Sequence, residues 1–147
     1  MDEEYSPNHD YLLSTLYRTF TDAGAEFGVT VLVGGSWITG MAIAGRAWME
    51  QVGKFIDDQT GTELGLVFRT IGQTLYPADS EIEAGHSEAV PEDRPTAYLH
   101  LRDARSVDPS GLVPDTGGLI RLRFSAVDGW LMGNLAPQGY KPPPPPI

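Results

Sequence analysis

Phe27-Gly28-Val29-Thr30-Val31-Leu32-Val33-Gly34-Gly35-Ser36-Trp37-Ile38-Thr39-Gly40-Met41-Ala42-Ile43-Ala44 is the stretch that decides the fold. Phe27, Val29, Val31 and Val33 alternate with Gly28, Thr30 and Leu32, the two-residue period of a strand. Gly34-Gly35 can take positive φ at both positions and so closes a tight hairpin. A second strand is predicted from Trp37 to Ala44, with Gly40 marking a bulge or sharp bend. The stretch is too short and too interrupted by Gly, Thr and Ser to cross a membrane as a helix, which needs about 20 mostly apolar residues.

Helices flank this hairpin. Upstream, Leu12, Leu13, Leu16, Tyr17 and Phe20 recur at three- and four-residue spacing, one face of a helix over 8–23. Asn8 or Asp10 is its predicted cap and Gly24 its stop. Downstream, Trp48, Val52, Phe55 and Ile56 stripe a helix over about 46–57. Leu64, Val67, Phe68, Ile71 and Leu75 stripe a third, ended by Pro77 and weakened by Gly65 and Gly72.

The second half reads as strands and loops. Residues 77–95 form an acidic loop with six carboxylates and no base before Arg94. Thr96 to Leu101 is a strand, 106–118 a Pro/Gly/Asp/Ser-rich surface loop, and Leu119 to Ser125 another strand. Asp128-Gly129 signals a turn that pairs a last strand, Trp130 to Leu135, back as a hairpin. From Pro137 the chain is a tail, and Pro142 to Pro146 favour polyproline II. The organisation is an acidic leader over 1–8, one α+β domain over 9–136 and a polyproline tail over 137–147. A leading helix with five short antiparallel strands resembles the Sm-like small β-barrel, or a curled sheet, with the two middle helices inserted between strands 2 and 3.

Composition bounds the function. The chain has 147 residues, 20 Asp+Glu, 10 Lys+Arg and a formal net charge of −10. Such a chain repels phosphate, which disfavours nucleic acid and anionic membranes. No cysteine is present, so disulfides, Cys-ligated zinc and thiol nucleophiles are excluded. An acidic N-terminus without an apolar run is no secretory signal, and a soluble cytoplasmic protein is expected. The charge is uneven: nine of the 20 acids lie in the leader (Asp2, Glu3, Glu4) and the 77–95 loop (six). The folded body is therefore close to neutral.

Reactive constellations are hard to find. Gly34-Gly35-Ser36-Trp37-Ile38 lacks the second glycine of a nucleophile elbow, and a turn hydroxyl is the better reading of Ser36. His9, His86 and His100 are far apart and have no i+3 or i+4 ligand, so no metal site is expected. His100 faces opposite to Leu99 and Leu101 and reads as a surface strand histidine. A hydrolase using Ser36 and His100 is disfavoured. No phosphate-binding glycine loop occurs and no cofactor is expected. With 20 acids, no carboxylate pair can be singled out for acid/base work.

Interaction candidates remain. Arg102, Arg105, Arg121 and Arg123 are four of the ten bases within 22 residues. They form either a docking patch, for an acidic partner or the acidic loop of another copy, or internal pairs with Asp103, Asp108 and Asp128. Internal pairing is favoured. Trp48 reads as core, while Trp37 and Trp130, beside turns, are interface candidates. The polyproline tail either docks in an aromatic groove of a partner or stays solvated.

Two blocks resemble a known family. Gly28 to Gly40 followed by Ala44-Gly45-Arg46-Ala47-Trp48 forms one. Tyr98-Leu99-His100-Leu101-Arg102-Asp103-Ala104 with Leu122 to Leu135 forms the other. Together they are similar to the gas vesicle accessory protein U family (GvpU) across about residues 8–135. The His100 to Ala104 strand and the Val127-Asp128-Gly129-Trp130 turn are the most distinctive pieces. The resemblance implies a non-enzymatic accessory protein of gas vesicles, the gas-filled, protein-walled organelles that give cells buoyancy. It implies contact with the shell or other vesicle proteins, or self-association, in assembly or clustering. It brings no catalytic residues. The rival reading is an Sm-like RNA-binding or general interaction module. The charge disfavours RNA, and the last hairpin carries Asp128 where an Sm-like site has a base.

Overall fold

The computed structural model describes residues 10–76, 97–108 and 111–135, without the side chains of 108 and 112–116. The leader, the whole acidic loop and the polyproline tail lie outside the described residues.

Helix α1 spans Tyr11–Asp22 and starts where its cap dictates. Asp10 Oδ1 accepts from the backbone N–H groups of Leu12 at 2.9 Å and Leu13 at 3.2 Å. Those are two of the amides that no helical carbonyl can reach. The other carboxylate oxygen of Asp10 accepts from the Trp130 indole N–H at 2.6 Å. One acid thus starts the helix and ties it to the far end of the chain. Asp10→Ala removes both attachments, and the expected loss is about 2 kcal/mol in urea unfolding. A loss below about 0.5 kcal/mol would contradict this role.

Strands β1 (Phe27–Val33) and β2 (Ser36–Ala42) form the expected hairpin, in register from Phe27↔Ala42 to Val33↔Ser36. Both loop glycines take positive φ, 57° at Gly34 and 83° at Gly35. Helices α2 (Gly45–Thr60) and α3 (Gly65–Leu75) come after β2 and precede β3. Strands β3 (Tyr98–Asp108), β4 (Gly111–Arg123) and β5 (Gly129–Met132) complete an antiparallel sheet in the order β4-β3-β2-β1-β5.

The bend expected at Gly40 is a register shift between β2 and β3, with Thr39↔Arg105 followed by Met41↔Arg102. The extra residue sits on β3, where Asp103 takes φ 52°. Gly40 lets that bulge come close: a Cβ there would lie 3.1 Å from the Arg102 carbonyl oxygen.

Three expectations need correction. The sheet is open and not a closed Sm-like barrel, because β5 joins the outer edge of β1 and leaves β4 and β5 at opposite edges. Asp128-Gly129 does not fold β5 back on β4. A 3-10 turn at Phe124–Ala126 buries Phe124, and Val127 is buried after it. Asp128 N–H then reaches the Leu32 carbonyl at 2.8 Å, which delivers β5 to β1. Finally, much of 106–118 is strand and not loop. The ladder runs on through Val107↔Leu112 to Asp108↔Gly111, and this long-range pairing overrides weak local propensity.

The core lies between α1 and one face of the sheet. Leu13 and Tyr17 pack on Val29, Val31, Ala42, Leu99, Leu101 and Phe124. Burial of these apolar side chains is the main force holding the body together.

Candidate interaction surface

The α2/α3 pair is unusual in what it buries. The residues buried on α2 are Gly45, Met49 and Gly53, and those on α3 are Gly65 and Gly72. The two helices touch almost backbone to backbone. A Cβ on Gly65 would sit 1.9 Å from the Gly53 carbonyl oxygen, and one on Gly72 2.5 Å from Met49 Cβ. Asp57 locks the turn between the helices. Its Oδ1 accepts from Gly65 N–H at 2.8 Å and its Oδ2 from Arg69 at 2.9 Å. The Arg69 hydrogen bond and then the Gly65 amide hold the Asp57 carboxyl below its usual pKa.

A glycine seam turns the large side chains outward. Phe55, Leu64, Leu66, Val67, Phe68 and Ile71 are 36–60% exposed. The large apolar side chains of the 64–71 stripe therefore face away from the helix seam. Leu64, Val67, Phe68 and Ile71 fall at i, i+3, i+4 and i+7, so they share one face. The only charged residue of α3 is Arg69, which is tied to Asp57. The helix thus presents an apolar surface without free charge.

His100 joins this pair to the sheet. It is fully buried, not a surface residue, because Trp48 and Tyr76 close over it. Arg121 Nε donates to His100 Nε2 at 3.2 Å. Arginine has no acceptor, so Nε2 is bare and Nδ1 carries the proton. Nδ1–H then donates to the Tyr17 hydroxyl at 3.1 Å, which donates to the Ile43 carbonyl at 2.6 Å. The Tyr76 hydroxyl lies 3.4 Å from both Nε2 and the Arg121 guanidinium. Burial, and secondarily the Arg121 charge, lower the His100 pKa to about 3. Burial likewise raises that of Tyr17.

The neutral imidazole has a consequence for stability. Between pH 3 and 6.5 the unfolded chain binds a proton that the folded chain refuses. The contribution is fully present above about 6.5 and is lost as pH falls toward 3, by up to about 1.4 kcal/mol per unit. The His100 ring signal is expected to stay constant from pH 7 to about 4 in an NMR titration. A midpoint near 6.5 would overturn the assignment.

The sequence-derived candidates land in different settings. Arg102 pairs with Glu26 at 2.6 Å. Arg105 is buried and pairs with Asp103 at 2.9 Å. Arg121 contacts His100 and lies 3.6 Å over the Tyr98 ring. Arg123 is exposed at the end of β4. Trp130 packs against the core and bonds Asp10, whereas Trp37 is exposed beside the β1/β2 turn. These four arginines therefore do not form one uniformly free stripe. Sequence reasoning missed the outward face of α3. The glycines at 53, 65 and 72 carried its signal, since helices that meet through glycine need no large side chains between them.

Nothing reactive is assembled among the described residues. Ser36 is at the exposed hairpin tip, and His100 lies beside Ile43, seven residues further along. That separates them by roughly 20 Å of extended chain. No group of three metal-ligating side chains occurs among the described residues, and no helix there is long and apolar enough to cross a membrane.

The fold and the surface define an α+β domain with a helical pair whose large apolar side chains are exposed among the described residues. Residues 10–135 match a family model described as gas vesicle protein GvpU-like, and the chain belongs to that family. It is a gas vesicle accessory family and not a known enzyme family. No curated protein and no solved structure matches the chain.

Proposed function

We propose that the protein is a non-enzymatic gas vesicle accessory protein that binds the vesicle shell or other vesicle proteins through the outward face of α2 and α3. Its place of action is the cytoplasm, at the vesicle surface. Family membership supplies the vesicle context. The observation that carries the contact is the exposure of Phe55, Leu64, Leu66, Val67, Phe68 and Ile71. The four on one face of α3, Leu64, Val67, Phe68 and Ile71, present on the order of 300 Å² of apolar surface, the lower end of the patch size associated with protein contact. Self-association through the same face is a second reading, because an uncharged apolar surface is complementary to itself. Either contact would serve vesicle assembly or clustering.

Co-flotation with buoyant vesicles tests the proposal. An apolar contact persists in about 0.5 M salt, whereas docking through Arg123 would weaken there. The expected result is protein in the floating layer at both low and high salt. Protein that stays in the subnatant at both would sink the proposal. Flotation lost only at high salt would move the contact to the arginines.

A further inference from the structure

The sheet has a second face that α1 does not cover. Val29, Val31, Ile38 and Ala42 face the core, so Thr30, Leu32, Trp37 and Thr39 face the other way. On that side Leu32 is opposite Trp37, and Thr30 is opposite both Thr39 and Leu131. Trp37 is 38% exposed and Leu131 45%. Arg105, the cross-strand partner of Thr39, is on the same side but buried and paired with Asp103.

The chain itself crosses this face after β5. The Thr30 hydroxyl donates to the Gly133 carbonyl at 2.9 Å, and Leu135 N–H donates to Thr39 Oγ1 at 2.6 Å. The two threonine hydroxyls meet at 3.0 Å and both residues are buried. Leu135 is thus anchored to a residue two positions from Trp37, about 7 Å along the same side of β2.

The sequence beyond Leu135 suits an exposed indole. Ala136 to Lys141 is a six-residue spacer, and Pro142 to Pro146 come next. Six residues span up to roughly 20 Å, more than the distance to Trp37. A proline run is already extended as polyproline II, so little conformational entropy is lost when it lies on an aromatic ring. The prolines carry no charge, and the cation beside Thr39 on this side, Arg105, is buried and paired with Asp103.

We propose that Pro142–Pro146 dock on Trp37, Leu32 and Leu131, on the uncovered sheet face of the same chain. Trp37 is then the receptor for the chain's own polyproline segment. The contact to vesicle proteins falls to α2 and α3, and neither proposal depends on the other.

The test is NMR of the indole N–H groups of ¹⁵N-labelled full-length protein, with Trp37 assigned by Trp37→Phe. It is compared with a full-length variant in which Pro142 to Pro146 are all serine, and with a chain ending at Ala136. The expected result is a shifted Trp37 signal in both altered chains, with Trp48 and Trp130 unmoved. A synthetic peptide of residues 137–147 is expected to restore the Trp37 position in the shortened chain. A Trp37 signal identical in full-length protein and the serine variant would overturn the proposal. So would a Trp37 position that changes with protein concentration, since that places the prolines on a second copy.

Discussion

Gly65→Ala is expected to destabilise the α2/α3 pair by about 2–3 kcal/mol, the upper range for forcing an atom into a packed interface. The added methyl would occupy a point 1.9 Å from the Gly53 carbonyl oxygen, and the obstacle is backbone on the facing helix. A flexible side chain could turn away, but this carbonyl moves only if the helices separate. Separation also pulls Gly65 N–H and Arg69 away from Asp57, so one methyl weakens both of these hydrogen bonds as well as the helix contact. Amide exchange of α2 and α3 should speed up while the β1/β2 amides stay protected, because the core under α1 does not include this seam. Thr70→Ala, at an exposed site on the same helix, should change stability by less than about 0.5 kcal/mol. Equal behaviour of the two variants would mean that the helices are not held at backbone contact.

The second large effect concerns binding and not stability. Val67→Gln combined with Ile71→Gln replaces two adjacent exposed apolar residues on one turn of α3. Glutamine is a better helix former than valine or isoleucine, so the helix should persist. No charge is added, so the vesicle is not repelled. If the α3 face is the contact, removing two central apolar groups should weaken association by roughly tenfold or more, while the fold stays within about 1 kcal/mol of wild type.

Parts of the fold were legible because local pattern and tertiary need agree. The β1/β2 hairpin is an example: alternation sets its register and two glycines set its turn. α1 is another, with an acid placed to cap it. Other parts were hidden because the deciding contact is distant in sequence. Nothing near Asp10 announces Trp130, 120 residues away. His100 has the parity of a surface residue, and only the return of Tyr76 and Trp48 buries it. The α3 stripe was legible as a helix, but its period does not say which side packs. A stripe of Leu, Val, Phe and Ile normally marks the core, and the rule fails when glycine supplies the packing face. The arginines were legible as a cluster, yet three of the four are engaged by Glu26, Asp103 and His100.

The outward apolar face of α3 is the proposed contact with the vesicle. Flotation of wild type and the Val67→Gln/Ile71→Gln variant side by side, in about 0.5 M salt, tests it most directly. Wild type is expected in the buoyant layer and the variant below it, with both folded. Equal flotation of the two proteins would contradict it.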